Sequence, residues 1–228
     1  MDFDSGRVMP ANLDLPSPSD YDWNMAPVHN DSKSSPSPPV AALAIEALRR
    51  AEAMGLVEAG FLRDPHKDAS RLVRRIREAG IARGPALRFE HAEAPSDAEL
   101  AALLQVVVDA LEASPTPKYE WPAVSRVFEA EQLSSLLGIS LSSLRRYESG
   151  ARETPDDVAA RLHHVALVAG DLAGAYNEVG IRRWFDRKRT ILDGKTPAAL
   201  LVGEWNPDDS GPRKVRALAQ SLLRLSAT

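Results

Sequence analysis

Residues 130–150, Ala-Glu-Gln-Leu-Ser-Ser-Leu-Leu-Gly-Ile-Ser-Leu-Ser-Ser-Leu-Arg-Arg-Tyr-Glu-Ser-Gly, restrict the fold of this chain more than any other stretch. Leu133, Leu136 and Leu137 recur at helical spacing and Gly138 follows at once, where a helix end needs a residue that tolerates a left-handed backbone. Ile139 is placed to fill the corner, and Ser140 to cap a second helix by accepting one of its unpaired N–H groups. Leu141, Leu144 and Tyr147 then repeat at helical spacing until Gly150. Helices this short bury little area alone, so the turn and its corner packing must be written into the sequence. A DNA-reading helix-turn-helix makes that demand.

The rest of the chain is punctuated in the same manner. Residues 1–39 are rich in Pro, Ser, Asp and Asn and bury too little apolar surface to offset their ordering entropy, so a disordered tail is expected, interrupted by Tyr21, Trp23 and Met25. Ala41–Met54 carries Leu43, Ile45 and Leu48 ahead of Gly55, and His66–Ala79 carries Leu72, Val73 and Ile76 ahead of Gly80. In the second of these, Arg71, Arg74, Arg75 and Arg77 read as a solvated face beside Glu78. Gly84–His91 reads as a short extended piece. Ser96-Asp-Ala-Glu99 is a capping box opening a helix through Leu100, Leu104, Val107, Val108 and Leu111, which Pro115-Thr116-Pro117 then breaks.

Trp121–Phe128 predicts a helix supporting the turn unit. Thr154-Pro155-Asp156-Asp157 predicts another, with Thr154 as cap and proline in the first turn; Val158, Leu162, Val165, Val168 and Leu172 form one stripe along it. Thr196-Pro197 repeats the cap-plus-proline start, and Gly211-Pro212 opens a last helix with Val215, Leu218, Leu222 and Leu225 on one face. The fold class expected is all-α. It comprises a tail (1–39), a helical region of no assigned role (40–115), a helix-turn-helix domain (119–175) and a small helical C-terminal domain (176–228).

No run of apolar residues is long enough to span a bilayer, and the acidic start Met1-Asp2-Phe3-Asp4 does not read as a signal peptide. The absence of cysteine excludes disulfides, thiolate catalysis and cysteine zinc sites, and a cytoplasmic protein is expected. Net charge is −4, which is unusual for a nucleic-acid binder. The six acidic residues of positions 1–38, against Arg7 and Lys33, carry that whole excess; from Glu129 onward there are 14 basic and 13 acidic residues. Across the reading unit Ser140–Arg152, Arg145, Arg146 and Arg152 stand against Glu148. The expected DNA contacts are Ser140, Ser142 and Ser143 at the start of the reading helix, Arg145 and Arg146 toward phosphates or a guanine edge, and Gln132 bracing from the preceding helix.

Catalysis finds no constellation. His29, His66 and His91 are scattered, and neighbours such as His163-His164 point about 100° apart on a helix, one expected wet and one packed. No HExxH, phosphate-cradling glycine loop or Gly-x-Ser-x-Gly is present, so no catalytic residue, cofactor or metal site is assigned. The run from Arg182 to Arg189 nets +4 around Trp184-Phe185; it reads as a solvated charge run, with a second nucleic-acid surface as the alternative.

The turn unit followed by Trp184-Phe185, Leu192-Asp193-Gly194-Lys195-Thr196-Pro197 and Leu200-Leu201 resembles the Xre/MbcA/ParS-like antitoxins over roughly Trp121–Leu225. The resemblance implies a helix-turn-helix joined to a toxin-binding domain at 176–228. It implies neutralisation of an NAD-degrading RES-type toxin by direct contact, and repression of the protein's own operon. By position, the toxin-facing residues would be Trp184, Leu192, Gly194, Lys195, Thr196 and Pro197, with the helix Pro212–Leu225 nearby. The chain departs from the family in Glu204–Gly211, which replaces a short Glu-Gly turn, and in its first 115 residues, which have no counterpart. The partners implied are a toxin protein and operator DNA, with a homodimer reading two half-sites and no membrane. The Val158–Leu172 stripe is either a dimer surface or core, and the N-terminal helices are another dimer candidate. The alternative function is a protein-interaction adaptor of the same fold that binds no DNA.

Overall fold

The computed structural model describes residues 37–58, 65–81 and 96–226. Its helices are α1 (Pro38–Ala53), α2 (Pro65–Glu78), α3 (Asp97–Ala113), α4 (Pro117–Val127), α5 (Ala130–Leu137), α6 (Leu141–Glu148), α7 (Asp156–Ala173), α8 (Glu178–Asp186) and α9 (Ser210–Ser226). Single 3₁₀ turns at Thr190–Leu192 and Ala198–Leu200 lie between α8 and α9. The fold is all-α. The tail with Tyr21, Trp23 and Met25 and the stretch 84–91 lie outside the described residues.

The centre is α7. Val158, Ala159 and every residue from Arg161 to Leu172 are buried, as expected of a helix surrounded by others. α1, α4 and α9 pack directly on it. The stripe Val158, Leu162, Val165, Val168 and Leu172 is therefore the chain's own core. At Gly170 an added Cβ would press on Ala53 Cβ at 2.5 Å, so a glycine is what lets α1 cross α7 this closely.

Two apolar clusters flank α7. One runs from Trp121 through the turn unit to Trp184, Phe185, Leu201, Trp205, Val215 and Ala219. Phe185 meets Phe128 and Trp184 edge-on, with ring centres 5.3 Å and 5.2 Å apart. The other joins Ala47, Ala51 and Met54 of α1, Leu72 and Ile76 of α2, and Val107, Val108 and Leu111 of α3 to Leu167 of α7.

A polar seam lies where α1 and α3 meet α7 and α9. Arg50 Nε donates to Glu112 Oε2 at 2.7 Å and pairs with Glu46, while Arg216 Nη2 donates to Glu112 Oε2 at 3.1 Å. Arg216 Nε sits 3.2 Å from Asp171 Oδ2, an ion pair without hydrogen-bond geometry. Burial pushes the Asp171 carboxyl up to about 6, against the opposing pull of Arg216. His163 places Nδ1 2.6 Å from Glu120 Oε1 and Nε2 3.0 Å from the Glu112 carbonyl. His164 packs edge-on to Trp205, and burial lowers it to about 4. Both histidines are thus buried, where one wet and one packed was expected.

Several local readings hold. Ser96 Oγ accepts from Glu99 N while Glu99 accepts from Ser96 N, closing the capping box. Gly55 and Gly80 end their helices with positive φ. Exposed Arg74 and Arg75 pair with Glu78. Others are corrected. The supporting helix α4 starts at Pro117 rather than Trp121 and carries Pro122 inside it. Thr154 does not cap α7: Pro155 occupies that position, and Thr154 Oγ1 accepts from the Trp121 indole N–H at 2.9 Å. Thr196-Pro197 starts only one 3₁₀ turn, with Thr196 Oγ1 accepting from Ala199 N at 3.1 Å. The chain must then turn back toward α5.

Candidate nucleic-acid interface and the adjoining platform

α5 ends in a Schellman motif. Gly138 has φ 65° and ψ 33°, its N–H bonds the Ser135 carbonyl at 3.2 Å, and the Ile139 N–H bonds the Ser134 carbonyl at 3.0 Å. A Cβ on Gly138 would also collide with the carbonyl of Gly203, so this position is closed to side chains twice over. Trp205 holds the same corner by donating its indole N–H to the Leu136 carbonyl at 2.9 Å, out of contact with water. The turn is thereby clamped by the segment leading into α9.

Ser140 caps α6 through Ser143 N at 3.2 Å, and its hydroxyl also lies 3.0 Å from the hydroxyls of both Ser142 and Ser143. The three serines sit together at the start of the reading helix, their hydroxyls bonded to one another. Leu144 and Tyr147 point into the core. Tyr147 stacks on Trp121 with centres 6.3 Å apart, and the Arg152 guanidinium covers its ring at 5.6 Å. Ser142, Arg145 and Arg146 face outward. Neither arginine has a side-chain partner among the described residues. Gln132 is placed differently from the expectation: its amide donates to the Arg182 carbonyl at 3.2 Å and to Asp186 Oδ2 at 3.1 Å. It ties α5 to α8 instead of bracing α6, and both its N–H donors are committed.

The 187–200 segment folds as a small platform on α8. Asp193 (φ 56°) and Gly194 (φ 75°) form its turn, closed by Gly194 N to the Arg189 carbonyl and Arg189 N to the Lys195 carbonyl, each at 3.0 Å. Three of the six residues expected to face a toxin point inward. Trp184 is 1% exposed and Leu192 2%, both in the chain's own interior, and Pro197 is buried too. Their rings and methyls shape the platform from below. Gly194 and Lys195 are exposed, and Thr196 is half-buried with its hydroxyl bonded to Ala199 N. Sequence reasoning missed two apolar residues that do face solvent here, Ile191 (70% exposed) and Val202 (69%). A large aliphatic flanking an exposed Gly-Lys turn was the available signal. Lys214 of α9 lies 3.9 Å from Asp193, so the last helix is adjacent.

Compared with protein-family models, with curated proteins and with solved structures, the chain matches none. Among the described residues no group of acidic residues and histidines is arranged to hold a metal ion, and no helix is long and apolar enough to cross a membrane.

Proposed function

We propose that this chain is the antitoxin of a type II toxin–antitoxin pair. It acts by contact, without catalysis or a cofactor, in the cytoplasm. α6 reads operator DNA as part of a homodimer, and the 187–200 platform holds a toxin of RES type. The observation that carries the reading is the reading helix itself. It is a Ser140-capped helix after a closed left-handed turn, showing unpartnered Arg145 and Arg146 and sharing one apolar core with the platform. Two unpaired guanidiniums on a rigid helix suit major-groove or phosphate contact.

The test has two parts. The product of the neighbouring gene should co-purify with the chain, and the chain should bind the DNA upstream of its own gene with affinity that falls steeply with salt. Arg145→Ala/Arg146→Ala should abolish the DNA complex and leave the protein complex intact. Operator binding unchanged by that double substitution removes α6 from the reading. An adaptor that binds protein only is favoured by one feature, the exposed Glu131, Glu148 and Glu153 around the turn unit; it predicts co-purification with no DNA complex.

A further inference from the structure

A groove of about 370 Å³ opens beside the first turns of α8 and is lined by Asn177, Gly180, Arg183, Trp184, Arg187 and Arg189, with Tyr176 and Val179. Three arginines line it and no carboxylate does. Arg183, in the last turns of α8, and Arg187, at its extended C-cap, are exposed and line the same groove, and none of the three arginines has an ion-pair partner among the described residues. Asp186, the nearest acidic residue in sequence, is held away on Gln132.

Beneath the arginines are two donors with nothing to donate to. The Trp184 indole N–H and the Arg189 Nε–H are buried and lack any acceptor, while the Arg189 guanidinium covers the Trp184 ring at 5.4 Å. The other structurally described tryptophans differ, since Trp121 and Trp205 each donate to an oxygen at 2.9 Å. An unsatisfied buried donor carries a standing penalty that an arriving oxygen would relieve. The first turn of α8 borders the groove through Val179 and Gly180, its Gly180 N–H already capped by Asn177 Oδ1 at 2.8 Å, so the arginines and the two buried donors are what the groove offers an anion.

We propose that the groove binds a phosphate group, held by the Arg183 and Arg187 guanidiniums over Trp184, with Arg189 swinging aside to admit an oxygen to the indole N–H. Arginine forks without a competing carboxylate are suited to a multiply charged tetrahedral oxyanion. The phosphate comes either from a free phosphorylated small molecule or from a duplex DNA backbone, which the nearby α5 start would approach. The proposal is independent of the reading of α6.

Sodium pyrophosphate titrated into the ¹⁵N-labelled full chain at constant ionic strength is the direct probe. The Trp184 indole resonance should shift saturably while those of Trp121 and Trp205 stay put. Arg183→Gln/Arg187→Gln, two exposed substitutions that should leave unfolding unchanged, should weaken the binding at least about tenfold. A shift that never saturates, or an unchanged titration in the variant, means a diffuse ion atmosphere only and overturns the site. Duplex DNA separates the two sources. A variant salt slope smaller by about 0.9 per contacted phosphate assigns the site to the DNA backbone, and an unchanged slope beside saturable pyrophosphate binding assigns it to a small molecule. A wild-type chain that binds no DNA overturns the reading of α6 and leaves the pyrophosphate result to decide this site alone.

Discussion

Both sides of α7 are packed by apolar clusters, but only one of them adds a buried network of charges. On the side of the turn unit, Trp121, Phe128, Leu133, Leu144, Trp184 and Phe185 close a nearly all-apolar cluster. Where α1 and α3 meet α7 and α9, the apolar cluster around Leu167 is joined by a polar seam through Arg50, Glu112, Arg216, Asp171 and His163. Apolar contact is non-directional and tolerates small shifts, whereas a buried charge has given up its hydration and needs a well-placed partner to offset that loss. The half that presents the candidate sites is therefore rigid by packing. The half that adds the N-terminal helices has its own apolar cluster around Leu167 and, beside it, a polar joint whose strength depends on protonation.

The largest expected effect tests the apolar side. Trp184→Ala should lower unfolding free energy by about 3–5 kcal/mol in urea titrations, because the side chain is core rather than contact surface. A variant with near-wild-type stability and lost partner binding would restore Trp184 to the surface role first expected of it. Arg216→Met should cost about 3 kcal/mol by stranding Asp171 beneath it, and adding Asp171→Leu should recover most of that loss. Non-recovery would show that the seam contributes more than its charges cost to bury.

Acid titration gives a smaller, signed effect. The His164 pKa is depressed to about 4, so its contribution to stability is lost as pH falls from about 6.5 through 4. The Asp171 pKa is raised to about 6, so its contribution has the opposite sign, growing as pH falls from about 6 toward 4. Asp171→Asn should therefore steepen the loss of stability between pH 6.5 and 4, and His164→Gln should flatten it. Unfolding midpoints measured across that range check both signs. Smallest are the local bonds. Thr154→Val, which leaves the Trp121 indole unpaired, should cost about 1–2 kcal/mol, and Ser140→Ala about 1 kcal/mol, by thermal unfolding.

The same contrast governs what could be read from sequence. Gly138, Ser140 and the Ser96–Glu99 box are local devices, complete within six residues, and each adopts the geometry its spacing predicts. The seam links residues as far apart as Glu112 and Arg216, and no periodicity announces such a pair. Thr154 shows the boundary between the two cases. It lies where a cap belongs, yet an indole 33 residues earlier in the chain takes its hydroxyl. At the platform, residue types singled out a segment but not which of its side chains face out, because a tryptophan and a leucine serve equally as contact or as core. Burial assigned them inward and left Ile191 and Lys195 outside.

The clamp on the α5 turn has a consequence for anyone dividing this molecule. Gly203 backs directly onto Gly138, and the Trp205 indole reaches the Leu136 carbonyl. A fragment cut anywhere before residue 203 would carry the full reading motif in its sequence and lack the wedge that keeps its elbow dry. Transplanting that motif into another helical scaffold means bringing along a loop encoded some 65 residues downstream, a span set by Gly138 and Gly203 themselves.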